Sequence, residues 1–445
     1  MTTDQIFIII SIIVFLLVGH FFKKRKTNSI KEFTIHEGKL NWFPIAAGIS
    51  MTFAGGAAVL NTASLGYTFK WYTLVDPFAL VLGILIVILF FNRYRDDKGV
   101  TISNLLSGNY KNLNILIGVI TSFVFILIVS AQFVALSKLV SPYFQNINPL
   151  IITLVLSTAI FSYVFLGGFT SVTKTDILQL IFIGFFLIMP VLIFILTKDF
   201  SEVKISESKH QFLSMPINYI ILFSIPILFI PLSQDINIRV KSAKNMRNGK
   251  LGLLVGAAIY FLIVLIASYI GIYLGENGIL LDDPEAAYTI FFQTKFANFG
   301  FLGIIAALAA IVSSLDSYTL NGITSVSNDI LSEIPFLKRA QHTTIINIAG
   351  IVVYIISLGI ALFFNEILVL VLTALLIYIS VLFPIAFAKK LKVKNNLIFL
   401  SSLLIILFII FIEILKVEIE PKAVIYPTVG LLIMSIFYIY QRVNK

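Results

Sequence analysis

Hydrocarbon-length apolar runs limit this chain's fold more than any other feature. About 20 apolar residues make a helix long enough to cross a bilayer. Such runs recur thirteen times, at 5–22, 42–68, 72–92, 112–142, 148–167, 174–197, 216–234, 251–275, 300–330, 342–364, 367–388, 396–414 and 423–440. Lipid supplies no hydrogen-bond partners, so each run is expected to close its own backbone bonds as a helix. With 59% hydrophobic and 12% charged residues and a mean hydropathy of +1.01, the chain lies outside the soluble range. The expected class is an all-α polytopic membrane protein, with the lipid bilayer as its first partner.

The apolar run at 5–22 has no basic residues before it and no small-residue cleavage site, so it reads as a retained helix and not as a signal peptide. Cysteine is absent, which excludes disulfides and thiolate metal sites, and the four histidines show no metal spacing. With the N-terminus outside, loops 23–41, 93–111, 168–174, 235–250, 331–341, 389–395 and the C-terminal tail fall inside. These hold most of the 32 lysines and arginines, as the positive-inside rule requires. The net charge of +10 therefore reports topology, and no nucleic-acid partner is expected.

Two runs carry helix breakers. Gly48 and the pair Gly55-Gly56 fall in the middle of 46-AAGISMTFAGGAAVLNTASLGY-67, and Pro226 and Pro231 interrupt 217-INYIILFSIPILFIPLSQ-234. Freed backbone groups are tolerated at that depth only against protein or an aqueous cavity. Each broken run opens a set of five, so the second set enters from the opposite side and the two sets form inverted repeats. Interrupted helices at matching positions point to a transporter's midplane site; close glycine packing and a simple proline kink are the plainer alternative. The expected organisation is 1–41 (extra helix and cytoplasmic loop), 42–197 (first repeat), 198–215 (external loop), 216–388 (second repeat) and 389–445 (two extra helices).

A third feature is chemical. The ninth run passes from apolar sequence into 309-AAIVSSLDSYTLNGITSVSNDI-330. Ser313, Asp316 and Ser317 share one helix face, with Ser314 three residues before Ser317 and Ala310 one turn before Ser313. A hard monovalent cation wants several oxygens and partial charge neutralisation, which hydroxyls, carbonyls and a carboxylate provide. Back-bonding of the serines within their own helix is the structural alternative. Asp176 opens the sixth run, where a carboxylate also suits a helix start. Asp76, before Pro77, either faces a cationic substrate group or holds the start of the third helix. Gln132 reads equally as a ligand or as a helix-to-helix hydrogen bond.

The stretches 167-GGFTSVTKTDILQLIFI-183, 308-LAAIVSSLDSYTLNGITSVSNDI-330 and 234-QDINIRVKSAKN-245, with Gly66-Tyr67, resemble the sodium:solute symporter family, which contains sodium-coupled proline, pantothenate, sialic acid and sugar carriers. The resemblance covers nearly the whole chain. It implies a leucine-transporter-type five-plus-five inverted repeat within thirteen transmembrane helices, N-terminus out and C-terminus in. It also implies Na⁺ as coupling ion, held by the carbonyls of Met51, Ala54 and Ala310 and the hydroxyls of Ser313 and Ser314. A second cation site at Asp176, Ser313, Asp316 and Ser317 is implied by some members. There the second carboxylate either holds a cation more tightly or shares a proton with Asp176. The implied substrate site takes Phe53, Gly55, Gly56, Ala57, Ala58, Asp76, Gln132 and Ser233. Ala57 and Ala58 stand where sugar and proline carriers have a glutamine or an aromatic, and the third core helix has no arginine for a sialate carboxylate. The expected substrate is thus a small organic solute, with an amine facing Asp76 as one form.

The function expected is Na⁺-coupled uptake by alternating access across the plasma membrane, in a monomer or weak oligomer. Proton-coupled symport on the same fold, and a transporter-like sensor, are the alternatives. The chain ends five residues past its last run, leaving no room for an output domain, and no catalytic constellation or phosphate loop suggests an enzyme.

Overall fold

The computed structural model describes residues 3–21, 29–35, 38–108, 110–197, 213–296, 299–337, 339–364, 366–415 and 421–443. Those residues are helical almost throughout, with one isolated bridge between Leu40 and Ala243. Among the described residues ten helices are long and apolar enough to cross a membrane, and shorter apolar helices occupy Thr3–Gly19, Trp42–Phe53 and Pro149–Ser162.

The helices that build the core follow in chain order. After α1 (Thr3–Phe21), the first broken run gives α2 (Trp42–Phe53) and α3 (Gly56–Phe69). Next come α4 (Val75–Leu89), α5 (Lys111–Val140) and α6 (Pro149–Ile183). The second broken run gives α7 (Ile217–Phe223), α8 (Pro226–Leu232) and α9 (Gln234–Ser242). Then follow α10 (Met246–Glu276), the short α11 (Ala287–Lys295), α12 (Phe301–Thr324), α13 (His342–Phe363), α14 (Ile367–Lys390), α15 (Asn395–Ile414) and α16 (Lys422–Val443).

The packing has an exchange relation. α2 and α3 lie along α10, while α8 lies along α4; α5 packs on α14, while α12 packs on α6. Divided into five and five, with α6 split at Gly168, the core segments exchange each with the one five later. That exchange turns each of these pairings into the other. Close approach of α10 to the first broken run depends on glycine: a Cβ on Gly256 would stand 2.9 Å from the Ala46 carbonyl and 2.8 Å from Ile49.

Both interruptions satisfy their freed carbonyls with hydroxyls, as a non-aqueous site requires. In the second run Pro226 starts α8, and the chain breaks again at Ser233. The Tyr94 hydroxyl donates to the Pro231 carbonyl at 2.6 Å and the Tyr378 hydroxyl to the Leu232 carbonyl at 2.8 Å. In the first run the same task falls to Ser314.

Three expected loops differ from the observed chain. Residues 168–174 are not a loop; α6 runs through them, and only Gly168 leaves helical geometry, at φ 57°, ψ −160°. A single glycine in the left-handed region turns the chain there without a connecting segment. Residues 235–250 contain most of α9 and the start of α10, and every residue of α9 is buried. Arg239 is thus an interior residue, and Lys241 pairs with Asp97 at 2.6 Å. Residues 93–111 are not all loop: short helices form at Phe91–Arg95 and Ile102–Ser107, the second opened by a capping box of Thr101 and Asn104. Of the expected external loop 198–215, residues 198–212 lie outside the described residues.

Candidate functional site

α2 stops at Phe53 because Ala54 turns out of helical geometry (φ −81°, ψ 39°) and Gly55 is extended before α3 begins. The last four carbonyls of a helix have no amide one turn ahead to receive. Here α12 supplies a partner: Ser314 Oγ donates to the Thr52 carbonyl at 2.6 Å and lies 3.3 Å from the Met51 carbonyl. A Cβ on Gly55 would stand 2.7 Å from the Ser314 Cβ, so the glycine is what lets the break meet α12. One residue earlier, Ser313 Oγ donates to Asp176 Oδ1 at 2.6 Å. Ala310 is buried one turn before both serines. The break of α2 and the polar face of α12 therefore meet at Ser314, while its neighbour Ser313 turns to Asp176.

The cluster around Asp176 holds a cation that the sequence reading did not put there. Arg239 reaches in from α9, fully buried. Its Nη2 donates to Thr52 Oγ1 at 2.7 Å, Ser317 Oγ at 3.1 Å and Asp176 Oδ2 at 3.3 Å. Its Nε donates to Asp235 Oδ2 at 2.8 Å. Thr52 Oγ1 in turn donates to Ser317 Oγ at 2.8 Å, and Thr175 donates to Asp316 Oδ2 at 3.0 Å. Gly48, one of the three expected breakers, stays helical within α2 and makes room for the guanidinium. Signals for Arg239 existed in 234-QDINIRVKSAKN-245, where a polar helix follows directly on the second break.

Beside the break lies a cavity of about 120 Å³. Of the expected substrate residues, Phe53, Gly55, Ala58, Asp76 and Gln132 line it. Gly56 instead packs on Ile311, and Ser233, buried at the end of α8, is not in its lining. The Ala57 side chain falls outside the described residues. Residues not foreseen include Asn61, Thr62, Tyr260 and Tyr318. Asn61 and Thr62 were within reach of the sequence, being three and four residues beyond Ala58 on the same helix face.

Comparison with known proteins agrees with this architecture. The family model for the sodium:solute symporter family matches residues 33–388. The chain is similar in structure to a Na⁺-coupled sialic acid symporter in a substrate-bound outward-open state, with TM-score 0.71 and 17% identity over 98% of this chain and 96% of that one. It is also similar to Mhp1, a nucleobase-cation-symport-1 family transporter, closed with bromovinylhydantoin bound (TM-score 0.56, 14% identity, 93% and 94% covered). A manganese transporter of Eremococcus coleocola matches at TM-score 0.50 and 12% identity over 96% and 97%. Among curated proteins none matches significantly.

Proposed function

The chain belongs to the sodium:solute symporter family, and from that premise we propose that this multi-pass membrane protein is a secondary active transporter coupling Na⁺ entry to uptake of a small organic solute across the plasma membrane. The observation that carries the reading is the contact of Ser314 with the Met51 and Thr52 carbonyls at the α2–α3 break. A cation between the break and α12 would be coordinated by the carbonyls of Met51, Ala54 and Ala310 and the hydroxyls of Ser313 and Ser314. It would take over oxygens that otherwise bond one another, tying α2 to α12. Solute in the adjoining cavity touches the same break through Phe53 and Gly55. The coupling is then reciprocal: each ligand raises the other's affinity by the same factor.

The exchange relation among the helix pairings supports the two inverted repeats, 42–197 and 216–388, flanked by 1–41 and 389–445. The three shorter apolar helices, counted with the ten longer ones, support thirteen crossings with the termini on opposite sides, and the excess of lysine and arginine in alternate loops supports the N-terminus outside.

In this reading one Na⁺ is bound. Arg239 already provides the positive charge at Asp176 and Ser317, so it takes the place of a second ion. Two unit charges 4 Å apart repel by about 4 kcal/mol at an effective dielectric of about 20.

The test is charge displacement in proteoliposomes on a solid-supported membrane, scanned with a solute library. A solute-evoked current that needs Na⁺ and vanishes in K⁺ supports symport. A solute-evoked current that persists without Na⁺ but follows a pH gradient would replace Na⁺ by H⁺.

A further inference from the structure

The charge of the cavity lining is one-sided. Its described residues include one acid, Asp76, and no lysine, arginine or histidine. Asp76 sits in the first turn of α4 and keeps part of its surface exposed. Among the described residues its side chain has one hydrogen bond, from the Tyr260 hydroxyl at 3.5 Å, a long contact for two oxygens, and no cationic partner. The wall around it is aromatic and aliphatic, with Phe223, Phe229, Tyr260, Tyr318, Leu80 and Leu375.

We propose that the transported solute is an organic cation with an apolar body, its ammonium group paired with Asp76. This rests on the symporter reading above and narrows its substrate class. An ionised carboxylate at membrane depth is costly unless something compensates it, and the protein leaves that task to the ligand. An anionic solute would meet a carboxylate and no counter-charge. The aromatic rings add cation–π attraction for an ammonium. Position also favours it: the Thr73 hydroxyl contacts the Thr62 carbonyl, which fixes the start of α4 beside the middle of α3. Thr62 is about 10 Å along α3 from Gly55, at 1.5 Å per residue. The solute's charge would thus lie at the far end of the cavity from the Na⁺ oxygens, and its apolar body would fill the space between.

The test uses matched isosteres on one apolar body: cyclohexylammonium, cyclohexyltrimethylammonium, cyclohexanol and cyclohexanecarboxylate, with the benzyl series in parallel. Purified protein in NaCl is titrated with each, and apparent affinity is read from the shift in thermal unfolding. At least one ammonium member should bind at least about tenfold tighter than its neutral and acidic isosteres. Asp76→Asn should weaken it by at least about tenfold while keeping the stabilisation by Na⁺, and Asp76→Glu should bind better than Asp76→Asn. Retained Na⁺ stabilisation shows that a variant is folded. The proposal is overturned if a neutral or acidic isostere binds as well, if no ammonium member binds while Na⁺ still stabilises, or if Asp76→Asn leaves affinity unchanged. Loss of the Na⁺ response in the wild type, with ammonium binding intact, would sink the symport reading and leave this one standing.

Discussion

Arg239 Nη2 lies 3.3 Å from Asp176 Oδ2, with both side chains completely buried. The two residues come from α9 and α6, and the guanidinium also holds Asp235 at 2.8 Å. Removing one partner of a buried pair strands the other. Arg239→Leu leaves two carboxylates without their cation, so it should lower stability by about 3–5 kcal/mol. Asp176→Asn keeps the Arg239–Asp235 pair and should cost only about 1–2 kcal/mol. Thermal unfolding in detergent compares them; equal losses would mean that Arg239 does not neutralise both acids.

With that charge already in place, Na⁺ binding should be non-cooperative. A titration of wild-type protein should give a Hill coefficient near one, and Asp176→Asn should not lower it. A coefficient approaching two in the wild type that falls to one in Asp176→Asn would restore a second ion at that carboxylate.

Gly168 tests the sharp turn in α6. It has φ 57°, and a Cβ there would stand 2.8 Å from the Phe33 carbonyl. Gly168→Ala should therefore destabilise by about 1–3 kcal/mol, whereas Gly184→Ala, with open space around it, should be near neutral. Similar melting temperatures for both variants would contradict the assigned turn.

Orientation can be read directly because the chain has no cysteine. Single cysteines at Lys98 and Lys394 should react with a membrane-impermeant maleimide only after permeabilisation, and one at Asn146 without it. The reverse pattern would invert the topology.

Much of this was legible because each signal was local. The apolar runs, the Gly55-Gly56 break and the hydroxyl face of α12 follow from spacing along one helix. Two features were not local. Arg239 belongs to a nine-residue polar helix that hydropathy assigns to a loop, yet its burial is against protein, which a hydropathy pattern cannot distinguish from solvent. Gly168 turns the chain in one residue, so the polar stretch after it reads as a loop although it is the first turn of a helix. Tyr260 and Tyr318 reach the cavity only through the packing of α10 and α12, and nothing in their own segments marks them.

The account stands most directly on Na⁺ meeting the Ser314 hydroxyl at the α2–α3 break. The measurement is thermal stability of wild-type and Ser314→Ala protein in NaCl and in KCl at equal ionic strength. A ligand at a hundred times its dissociation constant adds about 2.7 kcal/mol, so wild-type protein should unfold at a higher temperature in NaCl and Ser314→Ala should show little difference between the salts. Equal stability of the wild type in both salts, or an undiminished Na⁺ response in Ser314→Ala, would contradict the account.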